Sequence, residues 1–307
     1  ILVKVEDSFL KSNDLIKGSM SLVNNEEFDN IFSKISEYKI ESGGSAANTA
    51  VGYSSFGGNS IFFGSIGKDN FGLSFQKDLN DIGIQFLSSE DNLLNAKTSK
   101  SLVLISPDGE RTMCTFLDAS TSLSLKNFNQ SIFKNNNILY LEGYLFDKIQ
   151  TKQAMIDLCK IAQKKNSLIC LSLSDSFCVE RHKDEFISLI KNYVNILFGN
   201  DQEIEALLNG QAKEKISSIV EIAVVTNGPK GANIFKANNS IFIPPIDGLD
   251  VLDTTGAGDL FAAGFLFGFS KKLTLDDCGK LATKSASHII QQYGARPVES
   301  LSKLLIT

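Results

Sequence analysis

Five short runs of almost unbroken apolar residues punctuate the chain: Ser60–Gly64 (SIFFG), Asn137–Leu141 (NILYL), Ser167–Leu173 (SLICLSL), Val194–Phe198 (VNILF) and Ile222–Thr226 (IAVVT). Runs of this length without polar alternation suit strands buried on both faces. Between them lie longer mixed segments such as Thr151–Lys165, whose apolar residues recur near the helical period. The alternation holds from about residue 46 onward. It predicts an α/β fold with a mainly parallel central sheet covered by helices. Two stretches break the rhythm. Leu15–Val23 and Lys97–Leu117 read as amphipathic antiparallel strands, the second turning at Pro107-Asp108-Gly109 between Ser101–Ile105 and Thr112–Leu117. A small β-sheet lid built from approximately 15–40 and 97–118 is expected from them, since such a cover excludes water from a site when it closes. Ile1–Val5 reads as the tail of a strand, so the chain looks as if it begins inside an element.

The 307 residues allow one large or two ordinary domains. Neither a repeat nor a linker is visible, so a single domain over 1–307 is expected. Net charge is −5, and Lys and Arg are scattered. That argues against duplex nucleic acid as a partner, because phosphate neutralisation drives such binding. The longest apolar run, Leu260–Phe269, is about half of what a bilayer needs, and no secretory start is visible. The five cysteines are odd in number and form no CxxC. Disulfides and structural zinc are therefore not expected, and a reducing cytoplasm is.

The most distinctive polar segment is Asp253-Thr254-Thr255-Gly256-Ala257-Gly258-Asp259, leading into Leu260-Phe261-Ala262-Ala263-Gly264-Phe265. A helix apolar nearly all round has to be buried. Its start offers the N–H groups of Gly256, Ala257 and Gly258 with little side chain in the way, and with the helix dipole these make an anion site. Asp259 falls in the first turn beside it. A carboxylate there is also an ordinary stabilising cap, so the segment alone fits an anion site or a capped core helix. It is not a dinucleotide fingerprint, because Phe261 stands where GxGxxG needs its third glycine. No P-loop and no HRD or DFG signature occurs.

Three further segments carry candidate chemistry. In Glu41-Ser42-Gly43-Gly44-Ser45-Ala46-Ala47-Asn48, two glycines run into a small-residue helix that a ligand can approach closely. Asn48 lies one turn beyond Gly44 and suits a vicinal diol, offering both donor and acceptor. In Phe198-Gly199-Asn200-Asp201-Gln202-Glu203, Asn200 and Glu203 lie three apart at a strand-to-helix junction. They suit Mg²⁺ through its waters, or equally a helix cap with an acidic first turn. Val224–Ala232 is a strand ending in the glycine turn Thr226-Asn227-Gly228-Pro229-Lys230-Gly231.

Taken together, the order GGSxxN, NxxE, TxGxxG, DTTGAGD resembles the ribokinase (PfkB-type) family of small-molecule kinases, from about residue 41 to Pro297. The resemblance implies a ribokinase-like three-layer sandwich and ATP-dependent phosphoryl transfer to a hydroxyl. It implies that Asp259 is the general base and that Gly256, Ala257 and Gly258 form the anion hole. It places Asn200 and Glu203 near Mg²⁺ and its waters, and Thr226, Gly228 and Gly231 along the nucleotide. Gly43, Gly44 and Asn48 would hold the acceptor's sugar ring, and a monovalent cation such as K⁺ would sit near Asp253.

Local features look most like adenosine kinases. Leu171-Ser172-Leu173-Ser174-Asp175-Ser176-Phe177 resembles a segment that stacks an aromatic on the base, the place of Phe177. Gly109–Leu117 resembles a lid strand with Arg111 near the phosphates and Met113 and Leu117 against the base. The expected acceptor is the 5′-hydroxyl of adenosine. The alternatives are a ribokinase- or fructokinase-like sugar kinase and a catalytically silent nucleotide-binding module. Monomer and homodimer stay open. The family's acidic residue at the end of its first strand has no match: nothing precedes Ile1, and Asp7 stands in the following segment. That first strand is expected to be missing or cut off. His182, in a charged stretch, reads as solvated, and His288 as a packing residue of a late helix.

Overall fold

The computed structural model describes residues 1–89, 96–126, 128–134 and 137–305. The first third of the chain runs β1 (Leu2–Lys4), α1 (Asp7–Ser12), β2 (Met20–Leu22), α2 (Asn25–Phe32), α3 (Ser45–Ser55), β3 (Ile61–Gly64), α4 (Asn70–Asp81), β4 (Gln85–Ser88), β5 (Lys100–Ile105) and β6 (Arg111–Phe116). Strands and helices then alternate: β7 (Ile138–Glu142), α5 (Ile149–Lys164), β8 (Leu168–Ser172), α6 (Ser176–Arg181), α7 (Lys183–Tyr193), β9 (Ile196–Asn200), α8 (Asp201–Leu208) and β10 (Ile222–Thr226). The chain closes with β11 (Ala232–Lys236), β12 (Asn239–Ile243), α9 (Ala257–Ser270) and α10 (Leu275–Ile289).

Contacts gather the chain into two compact units. One holds Ile1–Ser42, Phe63–Asp78 and Ser88–Leu123; the other holds Gly43–Phe62, Leu79–Leu87 and Ser124–Thr307. The chain passes back and forth between them, so no single linker marks the division in the sequence.

The first unit is built on a four-stranded sheet of order β1-β5-β6-β2. β5 and β6 form the antiparallel hairpin expected around Pro107-Asp108-Gly109, with Gly109 at φ +82°. Val3, Leu102, Leu104, Cys114 and Phe116 of the sheet pack with Leu10, Phe28 and Ile31 from α1 and α2. Leu15–Val23 departs from expectation. Only Met20–Leu22 is strand, and it pairs with β6 in parallel rather than antiparallel fashion. The chain turns beforehand through positive φ at Asp14 and Gly18, and Gly18 N–H is fastened to Thr112 Oγ1 at 3.1 Å. Ile1–Val5 contributes β1, which runs parallel to β5.

The second unit carries a six-stranded sheet of order β12-β11-β10-β9-β8-β7. β7 to β10 are parallel, and β11 and β12 continue antiparallel. β10 spans the expected Ile222–Thr226 and is buried on both faces. Ile222 and Val224 join Ile196, Phe198 and Ile234 against Phe261 and Phe265 of α9, while Ala223 and Val225 point to the opposite face by strand alternation. On that face α5 packs on β8 and α8 on β9 and β10. Helices on both sides of the sheet make the three-layer arrangement. α9 is buried from Leu260 through Gly268. A Cβ on Gly264 would collide with Ser285 Oγ and lie 2.9 Å from Leu281 O, so glycine there lets α10 approach. All five cysteines are buried free thiols. Among the described residues no helix is long and apolar enough to cross a membrane.

Candidate active site

The parallel strands β7, β9 and β10 end on Glu142, Asn200 and Thr226, with Asn200 and Thr226 paired side by side. Ligands of open parallel sheets bind outside such carboxyl ends. All the groups described next belong to the second unit unless stated otherwise.

α9 starts on Gly256, whose φ of +77° is left-handed. A Cβ there would lie 2.8 Å from the Ala295 Cα, so no other residue fits without backbone movement. The helix has no side-chain cap. The Ala257 amide donates to Thr254 O at 3.2 Å. The three-amide anion hole expected from the sequence is thereby reduced: among the described residues only the Gly256 and Gly258 N–H groups of that trio lack a protein acceptor. A Cβ on Gly258 would meet nothing within 4 Å, and the residue is exposed.

Asp259 turns away from its own helix end. Its Oδ1 accepts from Ser45 Oγ at 2.7 Å and its Oδ2 from Asn48 Nδ2 at 2.9 Å. Thr49 Oγ1 adds a bond to the Asp259 carbonyl at 3.2 Å. Burial raises the Asp259 carboxyl above its ordinary range, and the two donors only partly offset it. Ser45 and Asn48 are placed by α3, which begins at Gly44 with φ +91°. Asn48, expected from the sequence at the acceptor's sugar ring, thus bonds the Asp259 carboxylate.

A second carboxylate lies close by. Glu142 Oε2 accepts from Ala46 N–H, at the start of α3, at 2.8 Å. Its carboxyl is raised by burial, with the charge of Asp259 adding to the shift. Burial and the same charge also raise the phenol of Tyr140. Arg296 reaches this region from the segment after α10, donating through Nη2 to Gly43 O at 3.2 Å and through Nε to Asn48 Oδ1 at 3.4 Å.

Asn200 and Glu203 adopt the capping arrangement. Glu203 N–H donates to Asn200 Oδ1 at 2.9 Å, Asn200 N–H to Glu203 Oε2 at 2.9 Å, and Asn200 Nδ2 to Glu203 Oε1 at 2.8 Å. Burial, the largest cause, pushes the Glu203 carboxyl up to about 7. A cation beyond this pair suits it: a buried carboxylate costs less beside positive charge. Both oxygens already accept from Asn200, and a hydrated Mg²⁺ can be held through its waters with the cap intact.

Thr226 leads into a tight turn in which Asn227 N–H bonds Gly231 O at 2.8 Å. Gly228 and Gly231 both take positive φ, and a Cβ on Gly231 would collide with Ile243 O. Asp253 is buried, its Oδ1 on Thr255 N–H at 2.7 Å and its Oδ2 on Gly294 N–H at 2.9 Å.

Phe177 is not gathered at Asp259. The residue is 67% exposed and lines a surface groove of about 600 Å³ between α6 and α8, with Lys183 and Glu205 on its walls. Arg111 and Met113 lie on β6 and Leu117 just past its end, in the first unit. His182 is not solvated. It bridges Glu185 through Nδ1 at 3.0 Å and Asp147 through Nε2 at 3.2 Å, because it sits where α6 passes into α7. Among the described residues one trio of metal-type donors converges, Asp147, Cys178 and His182. Arg181 already holds both Asp147 oxygens, at 2.8 and 2.9 Å.

Sequence reasoning missed Ser45, Glu142 and Arg296. Ser45 stood inside the glycine motif. Glu142 carried a signal, a lone charge closing the otherwise apolar run of β7.

The chain matches the pfkB family carbohydrate kinase pattern over residues 13–301. A nucleoside kinase of Methanocaldococcus jannaschii is 29% identical over 261 residues, covering 83% of this chain and 80% of that protein. Among solved structures, a probable sugar kinase from Rhizobium etli superposes with a TM-score of 0.92 at 35% identity, over 100% of this chain and 94% of the other. Adenosine kinase from Sinorhizobium meliloti gives 0.91 at 34% identity, over 100% and 95%. With its ribokinase-like fold, the chain belongs to the pfkB family of carbohydrate kinases and is an ATP-dependent kinase of sugars or nucleosides.

Proposed function

We propose that the chain transfers the γ-phosphoryl group of ATP to the 5′-hydroxyl of adenosine, with Asp259 as the base. The observation that carries the base assignment is the half-buried, strongly desolvated Asp259 carboxylate, oriented by Ser45 and Asn48 in the first turn of the helix whose Gly256 and Gly258 amides lack acceptors among the described residues. In this reading the hydroxyl oxygen attacks the γ-phosphorus, its proton passes to Asp259, and the bond to the leaving ADP oxygen breaks. The Gly256 and Gly258 N–H groups stabilise the charge on the transferring group. Transfer of this kind is mostly positioning and electrostatics. A carboxyl whose affinity for protons is raised by burial is a better proton acceptor than an ordinary one.

Gly43, Gly44 and Asn48 are proposed to hold the ribose, with Glu142 as a further hydroxyl partner. Thr226, Gly228 and Gly231 would line the nucleotide. Mg²⁺ would supply charge neutralisation at the phosphates, held through water by Asn200 and Glu203. K⁺ at Asp253 is part of the same reading. Arg111, Met113, Leu117 and Phe177 are proposed to contact phosphate and base once ligand is bound. Reduced hydrogen exchange in 97–118 and at Phe177 on adding adenosine is the expected sign, and unchanged exchange removes these residues from the site.

Adenosine as acceptor is supported by the likeness to the Sinorhizobium meliloti enzyme and by the exposed ring of Phe177, available for stacking. The sugar-kinase reading has its own support: Glu142 and Asn48 are polar partners of the sort a bare sugar needs. ADP release measured with adenosine, ribose and fructose decides between them. Turnover with adenosine at the highest kcat/KM is expected; turnover confined to a free sugar overturns the adenosine assignment.

A further inference from the structure

Gly294, Ala295 and Arg296 form one short stretch after α10 that touches two loops of the candidate site. Gly294 N–H donates to the buried Asp253 carboxylate at 2.9 Å. Ala295 packs where any side chain at Gly256 would have to go. Arg296 donates to Gly43 O and to Asn48 Oδ1, and its own carbonyl is held by Gln292 Nε2 at 2.8 Å. The stretch thus ties the glycine turn before α9 to the glycine turn before α3.

Asn48 is 4% exposed, and an amide side chain can in principle be seated two ways, with its O and N exchanged. One turns Nδ2 toward Asp259; the other turns Oδ1 toward it and sets an acceptor against a carboxylate. A cationic donor on Oδ1 selects the first seating, since only that places each amide atom on a partner of opposite polarity. We infer that Arg296 is a positioning residue for phosphoryl transfer, locking the Asn48 amide with its N–H on Asp259 while pinning the Gly43 carbonyl of the acceptor loop. This rests on Asp259 being the base. The other ionisable groups at Asp259 are Tyr140 and Glu142 of β7 and Tyr144 just beyond it. None is a cation, and the Asn48 N–H is one of the two donors that favour the ionised carboxylate, so unseating that amide makes Asp259 harder to ionise.

The test compares Arg296→Met, Arg296→Lys, Asn48→Ala and the Arg296→Met/Asn48→Ala double variant, using ATP and whichever of adenosine and ribose is turned over. Arg296→Met is expected to lose about 100-fold in kcat/KM for the acceptor, with KM for ATP within about twofold of the parent. The acid limb of its kcat profile should move to higher pH. Arg296→Lys keeps the charge but loses the paired N–H groups, and should recover about tenfold of the loss. The double variant should lose far less than the product of the two single losses, since the Asn48 part of the loss is shared and only the Gly43 contact is lost in addition. Wild-type kcat/KM in Arg296→Met, multiplicative losses in the double variant, or an equal rise in KM for ATP would each overturn the inference. If Arg296→Met does not fold, Arg296→Lys carries the test, and wild-type values from it are equally fatal. Asp259→Asn separates the two levels. If it retains parental turnover, the base assignment itself has failed; if it is inactive while Arg296→Met is normal, only the positioning role has.

Discussion

α8 and α9 start alike in sequence and differently in space. Each has an acidic residue at the third helical position, Glu203 in one and Asp259 in the other. Glu203 folds back on its own N-cap, Asn200, and the two close a reciprocal cap. Asp259 has a glycine for an N-cap and one methylene fewer. It crosses instead to Ser45 and Asn48 of a neighbouring helix. Reciprocal caps need a side-chain acceptor at the N-cap and a Glu or Gln long enough to return. Removing both leaves a helix end with free amides and a carboxylate available for other work. The same position therefore serves stability in α8 and, on our reading, chemistry in α9.

The contrast can be tested by exchanging its ingredients. The largest effect belongs to Asp259→Asn. Turnover should fall by about 10²–10⁴-fold, the range for losing a general base, with ATP binding retained by calorimetry. Next comes Asp259→Glu, in which the longer side chain can return to the Gly256 N–H as Glu203 does to Asn200. Steady-state kinetics should show a loss of about 100-fold; activity near the parent's would mean that the missing methylene is irrelevant.

Stability should respond in the opposite sense. The Asp259 carboxyl is raised in the folded state, so the folded protein binds this proton more tightly than the unfolded chain. The resulting contribution is fully present below the unfolded value of about 3.9 and is lost as pH rises through the folded value. At neutral pH the desolvated charge of this half-buried carboxylate opposes folding. Asp259→Asn should raise Tm at pH 7 and leave it nearly unchanged near pH 3; a lowered Tm at pH 7 would contradict the burial argument.

Smaller effects separate the two helix ends. Gly256→Ala forces a left-handed alanine against Ala295 and should cost about 2 kcal/mol in denaturant unfolding. Asn200→Ala removes an ordinary cap and should cost about 1 kcal/mol. If Asn200→Ala proves the more damaging to stability, the ranking of the two ends is wrong.

Much of this site could be read along the chain because its parts are local. Asp259 and the glycines before it are contiguous, and the apolar α9 announces its own burial. Asn48 was readable from its spacing to Gly44. Glu142 and Ser45 left only faint traces, a charge closing an apolar run and a serine inside the glycine motif, and Arg296 left none, because each acts through a partner brought by tertiary folding. Arg296 lies 248 residues from Asn48. Leu15–Val23 misled because alternating polarity also fits a turn that feeds a short strand. Its parallel pairing depends on β6, about ninety residues later. Asn200 and Glu203 show the limit of spacing arguments, since one pattern serves both a cap and a cation's neighbourhood.

The five buried thiols have a practical consequence. Burial holds the Cys159, Cys170, Cys178 and Cys278 thiols mainly in their unreactive neutral form. Alkylating reagents should therefore find almost nothing to label in the native protein and five sites once it opens. The extent of labelling then becomes a built-in clock for global opening, readable by intact mass on every variant above without attaching a probe.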